Sequence, residues 1–114
     1  MNKIVIYHDF NLDLKLYSIP AFFIDKIKNE FTNVCFQDID SEDDPDNVKV
    51  YFGNRINNKL IKQYTKLKWI HLGCVGYDSI DLDIIRSRNI LMTNSSGLLT
   101  NSMVELVLNF MTSF

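Results

Sequence analysis

Short β-branched runs alternate with stretches of helical periodicity along the chain, an order that predicts a parallel α/β sheet. Lys3-Ile4-Val5-Ile6-Tyr7 has the length and branching of a first strand, with a loop from His8 to Asp13 behind it. Ser18-Ile19-Pro20 supplies capping and helix-opening residues. Phe23, Ile24, Ile27 and Phe31 then fall on one face of a first helix. Asn33 to Phe36 reads as strand two. Val48 to Phe52 reads as strand three, closed by Gly53. Ile56, Leu60, Ile61, Tyr64 and Leu67 form the next helical stripe. Lys68 to Leu72 is strand four, Asp81 to Arg88 a short helix, Ile90 to Thr93 strand five, and the residues after Gly97 a last helix. Five strands with these crossovers predict a flavodoxin-like, doubly wound sheet, whose ligand crevice lies outside the carboxyl ends of the strands.

The last helix breaks the amphipathic pattern. From Met103 to Phe114 its polar residues Glu105, Asn109, Thr112 and Ser113 make one narrow stripe, and apolar residues cover the rest of the perimeter. A helix on the outside of a small domain needs one apolar face. The excess fits either a helix well covered at the centre of the fold or a second surface that meets another domain or another copy of the chain.

Composition narrows the function classes. The 114 residues make one domain, 46% apolar with four glycines and two prolines, which is the profile of an ordinary folded globule. A formal charge of −2 is wrong for a surface built to neutralise a phosphate backbone, so nucleic acid is not an expected partner. Ile4 to Tyr7 is too short for a signal-peptide core or a membrane span, so no membrane partner is expected either. Cys35 and Cys74 stand far apart, one in an apolar run and one in a glycine-flanked loop, as free thiols of a reducing, cytoplasmic compartment would. The acidic stretch from Asp38 to Asp46 lacks the glycine and terminal glutamate of a calcium loop and reads as a solvated loop.

Candidate chemistry gathers at the strand ends, where Gly53, Gly73, Gly76 and Gly97 lie. In Gly73-Cys74-Val75-Gly76-Tyr77-Asp78 the missing side chains either provide a tight turn with positive φ or expose backbone N–H groups to a carboxylate or phosphate. Cys74 reads as a small packing residue, because no base or cation accompanies it in the sequence to activate a thiol. His71, inside strand four, reads as a partly buried, satisfied histidine. Two other uses of this fold are excluded. A phosphoacceptor receiver needs an Asp at the end of strand three and a Lys at the end of strand five, where Phe52-Gly53 and Thr93-Asn94 stand. A flavin carrier needs a hydroxyl- and glycine-rich phosphate loop in place of His8-Asp9-Phe10-Asn11-Leu12.

From Leu67 to Asp81, through Asn89 to Gly97, and from Thr100 to Leu108 around Glu105, the sequence resembles the N-terminal half of D-isomer-specific 2-hydroxyacid dehydrogenases. Gly53-Asn54-Arg55 is similar to a position where some members face the substrate. The resemblance implies a substrate-binding domain over residues 1–101. Residues 102–114 would then form an interdomain helix leading toward a nucleotide-binding domain that these residues lack. It implies that the Val75 and Gly76 amides hold the carboxylate of a 2-hydroxy or 2-oxo acid, that Asn54 faces the same acid, and that Thr100 approaches the nicotinamide of NAD or NADP. The family's Arg, its acidic residue and its acid/base His have no counterparts before Phe114. His8 and His71 do not match that His, so no catalytic residue is expected here. There is no GxGxxG, since Gly73 and Gly76 are three apart with no third glycine. The isolated chain is therefore expected to be inactive. The alternative is a naturally truncated, non-catalytic module of this family that forms a homodimer, or docks a partner, through the helix from Met103 to Phe114.

Overall fold

The computed structural model describes residues 3–9, 19–38, 44–73, 76, 80–98 and 100–113. Five parallel strands, β1 (Ile4–Asp9), β2 (Val34–Gln37), β3 (Val48–Gly53), β4 (Trp69–Leu72) and β5 (Leu91–Thr93), form one sheet in the order β2-β1-β3-β4-β5. That is the doubly wound, flavodoxin-like order expected. Between and after the strands lie α1 (Ala21–Glu30), α2 (Asn58–Gln63), α3 (Leu82–Ser87) and α4 (Thr100–Thr112).

The core occupies one face of the sheet. Val5, Tyr51, Ile70 and Leu72 point toward Ile56, Ile61, Tyr64 and Leu67 around α2, and toward Ile80, Ile85 and Ile90 around α3, all buried. Val48 and Tyr51 are both fully buried although strict alternation puts residues three apart on opposite faces. A register shift resolves this: Val5 pairs with Val48 and Ile6 with Val50, so Lys49 is the extra residue of a bulge.

Side-chain caps set the helix boundaries. The Asn57 Oδ1 accepts from the Leu60 N–H and starts α2, and the Asp81 Oδ1 accepts from the Asp83 N–H and starts α3. The apolar stripe from Ile56 to Leu67 is thus helical only over its middle, and Ile56, Tyr64 and Leu67 fill the core from the flanking loops. Arg88, just past α3, donates to the carbonyls of Ile61 and Tyr64, closing the carboxyl end of α2 with a positive charge.

The other face is less covered. Phe36, Phe52 and His71 are half-buried, and Trp69 and Leu91 are exposed. α1 packs along β2 and buries none of its residues, so the stripe Phe23, Ile24, Ile27, Phe31 is not the buried face its spacing implies. The physical reason lies in the crossovers. Right-handed connections place α1 opposite α2 and α3, and there it has only the sheet margin to pack on. Ser18, the expected cap, lies outside the described residues, and no side chain caps α1. α4 buries none of its residues either, so the description as a well-covered central helix does not hold.

Candidate functional site at the carboxyl edge of the sheet

Parallel strands bring all their carboxyl ends to one edge, and here hydrogen bonds stitch the loops that leave it. The Gly73 N–H donates to the carbonyl of Gly53, the last residue of β3, at 3.2 Å, tying the start of the loop after β4 to the end of β3. The Ser95 hydroxyl donates to the carbonyl of Leu72, the last residue of β4, at 3.1 Å, tying the loop after β5 to the end of β4. Asn94 accepts from the Ser96 N–H at 3.1 Å, and Gly97 adopts φ +84°, a left-handed turn that sends the chain into α4. A shallow pocket lined by Lys3, Thr32, Asn33, Val34 and Cys35 lies at the opposite, amino end, away from where this architecture takes ligands.

Three of the four residues expected to face a ligand are described, and all three are exposed at this edge: Asn54 after β3, Gly76 after β4 and Thr100 at the first turn of α4. Val75 and Cys74 lie outside the described residues. Gly76 does not supply the positive φ that the turn reading asked of it. Its φ is not in the left-handed region, and a Cβ added there would meet nothing within 4 Å. Neither strain nor crowding calls for glycine at this position.

The polar groups of the edge reach inward along β1 and β4. The Trp69 Nε1–H donates to the Thr93 hydroxyl at 2.9 Å, and His71 Nδ1 shares a hydrogen bond with the same oxygen at 2.7 Å. His71 packs against the rings of Phe52 and Trp69 and is half-buried, so the reading of a satisfied histidine holds. His8 stands half-buried beside Phe36. Burial pushes its pKa down, against the pull of Asp38 and Asp9. Asp9 was legible in the sequence only as an acid after strand one. Its carboxylate turns out to lie against Gly53 and the turn that follows it. Burial pushes the Asp9 pKa up, while hydrogen bonds from Tyr51, Arg55 and Asn54 oppose the shift. No signal within one segment announces it, because Gly53 comes opposite Asp9 only in the register of β1 on β3.

Gly73 and Gly76 do not make the GxGxxG sequence whose turn cradles a pyrophosphate at a helix N-terminus. No group of three or more His, Cys, Asp or Glu side chains among the described residues could hold a metal ion. No described helix is long and apolar enough to cross a membrane.

Comparison with known proteins places this edge in context. The sequence model of the D-isomer specific 2-hydroxyacid dehydrogenase catalytic domain matches residues 24–113. A glyoxylate reductase of Thermococcus litoralis is 36% identical over 53 residues, 46% of this chain and 16% of that protein. The structure of a 2-hydroxyacid dehydrogenase from Ketogulonicigenium vulgare superposes with a TM-score of 0.72 at 23% identity, covering 99% of this chain and 36% of that one. Phosphoglycerate dehydrogenase from Lactobacillus plantarum superposes with a TM-score of 0.69 at 18% identity, covering 96% and 34%. The chain thus spans about a third of the length of the solved structures it matches, and less of the curated relative.

Proposed function

The chain belongs to the D-isomer-specific 2-hydroxyacid dehydrogenase family, and from that premise we propose that residues 1–101 are the substrate-binding domain of an NAD(P)-dependent oxidoreductase and residues 102–114 its interdomain helix. The reaction is hydride exchange between the nicotinamide of NAD or NADP and C2 of a 2-hydroxy or 2-oxo acid. Residues outside this chain hold the dinucleotide and carry the proton transfer. This chain's share is orientation. The Val75 and Gly76 amides donate to the carboxylate of the acid, the Asn54 side chain faces its other end, and Thr100 stands at the wall nearest the nicotinamide. Fixing the acid's carboxylate at two backbone donors leaves C2 one face to present, which converts a random encounter into an oriented one.

The observation that carries this reading is that the loops after β4 and β5 are tied to the ends of β3 and β4, with Asn54, Gly76 and Thr100 exposed at the same edge. The test is a titration of the 15N-labelled chain with glyoxylate. Asn54 and Gly76 are expected to shift together with one dissociation constant, and Gly76→Pro, which deletes the donor, is expected to weaken binding about tenfold, the effect of one hydrogen bond to a charged group. Shifts confined to other residues would sink the reading. With NADH and glyoxylate, the chain alone is expected to give no loss of absorbance at 340 nm.

The exposure of every described residue of α4 favours a second reading beside the first. In it the chain forms a homodimer, or docks a partner, through this helix and performs no hydride chemistry. Turnover by any form of the chain would exclude it.

A further inference from the structure

Asp9 ends β1 and pairs with Gly53 in the β1–β3 register. Its Oδ1 lies so close to the Gly53 Cα that a Cβ on residue 53 would collide with it. The Arg55 N–H is shared between Asp9 Oδ1 at 3.4 Å and the Tyr51 hydroxyl oxygen at 3.1 Å. The Asn54 N–H and the Tyr51 hydroxyl also favour the charged form of the Asp9 carboxylate. Tyr51 is fully buried, so this end of the arrangement is anchored in the core. Asn54 and Arg55 are exposed, so their backbone has no burial of its own to hold it.

We propose that Asp9, acting with Tyr51, is a positioning residue: it fixes the turn Gly53-Asn54-Arg55 so that Asn54 is presented to the acid in the crevice. This rests on the crevice reading given above. Asp9 does not act on the acid; it acts through the Arg55 amide it receives and the Asn54 amide beside it. A carboxylate is suited to this because it accepts from several donors at once, whereas its protonated form turns one oxygen into a donor that faces Tyr51 and the amides. The charged and titratable groups around it are Tyr51 from β3, the Arg55 guanidinium, and His8 beside it on β1, which also feels Asp38 at the end of β2. Arg55 favours the charged form of Asp9 and burial disfavours it, with burial the larger. The turn therefore loosens as pH falls through a midpoint above the ordinary value of 3.8.

The experiment follows the backbone amides of Asn54 and Arg55 by 15N NMR from pH 7 to pH 3.5 in the full chain, in Asp9→Asn and in Tyr51→Phe, and then repeats the glyoxylate titration at pH 7. The Ile61 and Ile70 amides report whether each variant keeps its core. Expected are a shared transition of the two amides that vanishes in Asp9→Asn and moves to higher pH in Tyr51→Phe, which has lost a donor to the carboxylate. The glyoxylate dissociation constant is expected to rise fivefold to tenfold in Asp9→Asn, with the Gly76 shift retained. A transition that survives Asp9→Asn, or a dissociation constant unchanged in that variant, overturns the proposal. Failure of glyoxylate to move Gly76 or Asn54 in the unmodified chain would instead remove the crevice reading. The pH arm would still decide whether Asp9 holds the turn.

Discussion

At the scale of single residues, the decisive feature is how a sheet edge treats charge. His8 and Asp9 are neighbours on β1, and alternation sends them to opposite faces, both half-buried. Their pKa shifts have opposite consequences for stability. The His8 pKa is lowered in the fold, so below its ordinary 6.5 the unfolded chain binds the proton first. Stability is therefore gained as pH rises through the window ending at 6.5. The Asp9 pKa is raised, so stability is lost as pH rises from 3.8 through its folded value. Urea midpoints measured from pH 4 to pH 7 should lose the rising slope near pH 6 in His8→Phe and the falling slope at lower pH in Asp9→Asn. Gly53→Ala drives a methyl group into the Asp9 carboxylate. It is expected to cost about 1–3 kcal/mol by the same denaturation, the usual range for overpacking.

At the scale of elements, the helices divide into those that carry the core and those that do not. α2 is only six residues long, too short to stand alone, and it persists because Asn57 caps its start, Arg88 closes its end and Ile61 is fully buried beneath it. Ile61→Ala is expected to cost about 2–5 kcal/mol, the range for deleting a buried aliphatic side chain. Arg88→Ala removes two charge-assisted hydrogen bonds from the end of α2 and should cost about 1–3 kcal/mol. Leu106→Ala on α4 should change the midpoint by no more than about 0.5 kcal/mol at dilutions where the chain is monomeric, because that side chain is exposed. Circular dichroism melts of the three variants check the ranking, and a large loss from Leu106→Ala would mean that α4 is covered in solution.

At the scale of the whole molecule, the chain is extended. Its radius of gyration is 16.7 Å and its extents are 58 × 36 × 24 Å, whereas a compact domain of this length has a radius of about 13 Å. α4 presents seven large apolar side chains, from Met103 to Met111, with exposures between 53% and 69%. Apolar surface of that extent is the kind that association or a further packing partner covers. Light scattering of the chain is expected to read about twice its 13.3 kDa, because isologous pairing is the commonest way to cover such a face. Leu106→Glu with Phe110→Glu should return it to a monomer. A monomer in the unmodified chain would leave α4 to a further domain.

The sequence by itself determined the order of elements, the doubly wound sheet, and the place of Asn54 and Gly76 in the loops after strands three and four, because strand length, β-branching, helical spacing and glycine placement are local properties of the chain. It also carried the family resemblance from Leu67 onward, which the match over residues 24–113 bears out. Tertiary structure decided the rest. The bulge at Lys49 is invisible in Val48-Lys49-Val50 until β1 is laid beside it. The amphipathic stripe of α1 predicted burial that the crossover geometry denies. The convergence of Asp9, Tyr51 and the amides after Gly53 joins residues more than forty positions apart. Spacing within one segment cannot announce such a contact, because the register between strands, and not the order along the chain, brings those groups into hydrogen-bonding distance.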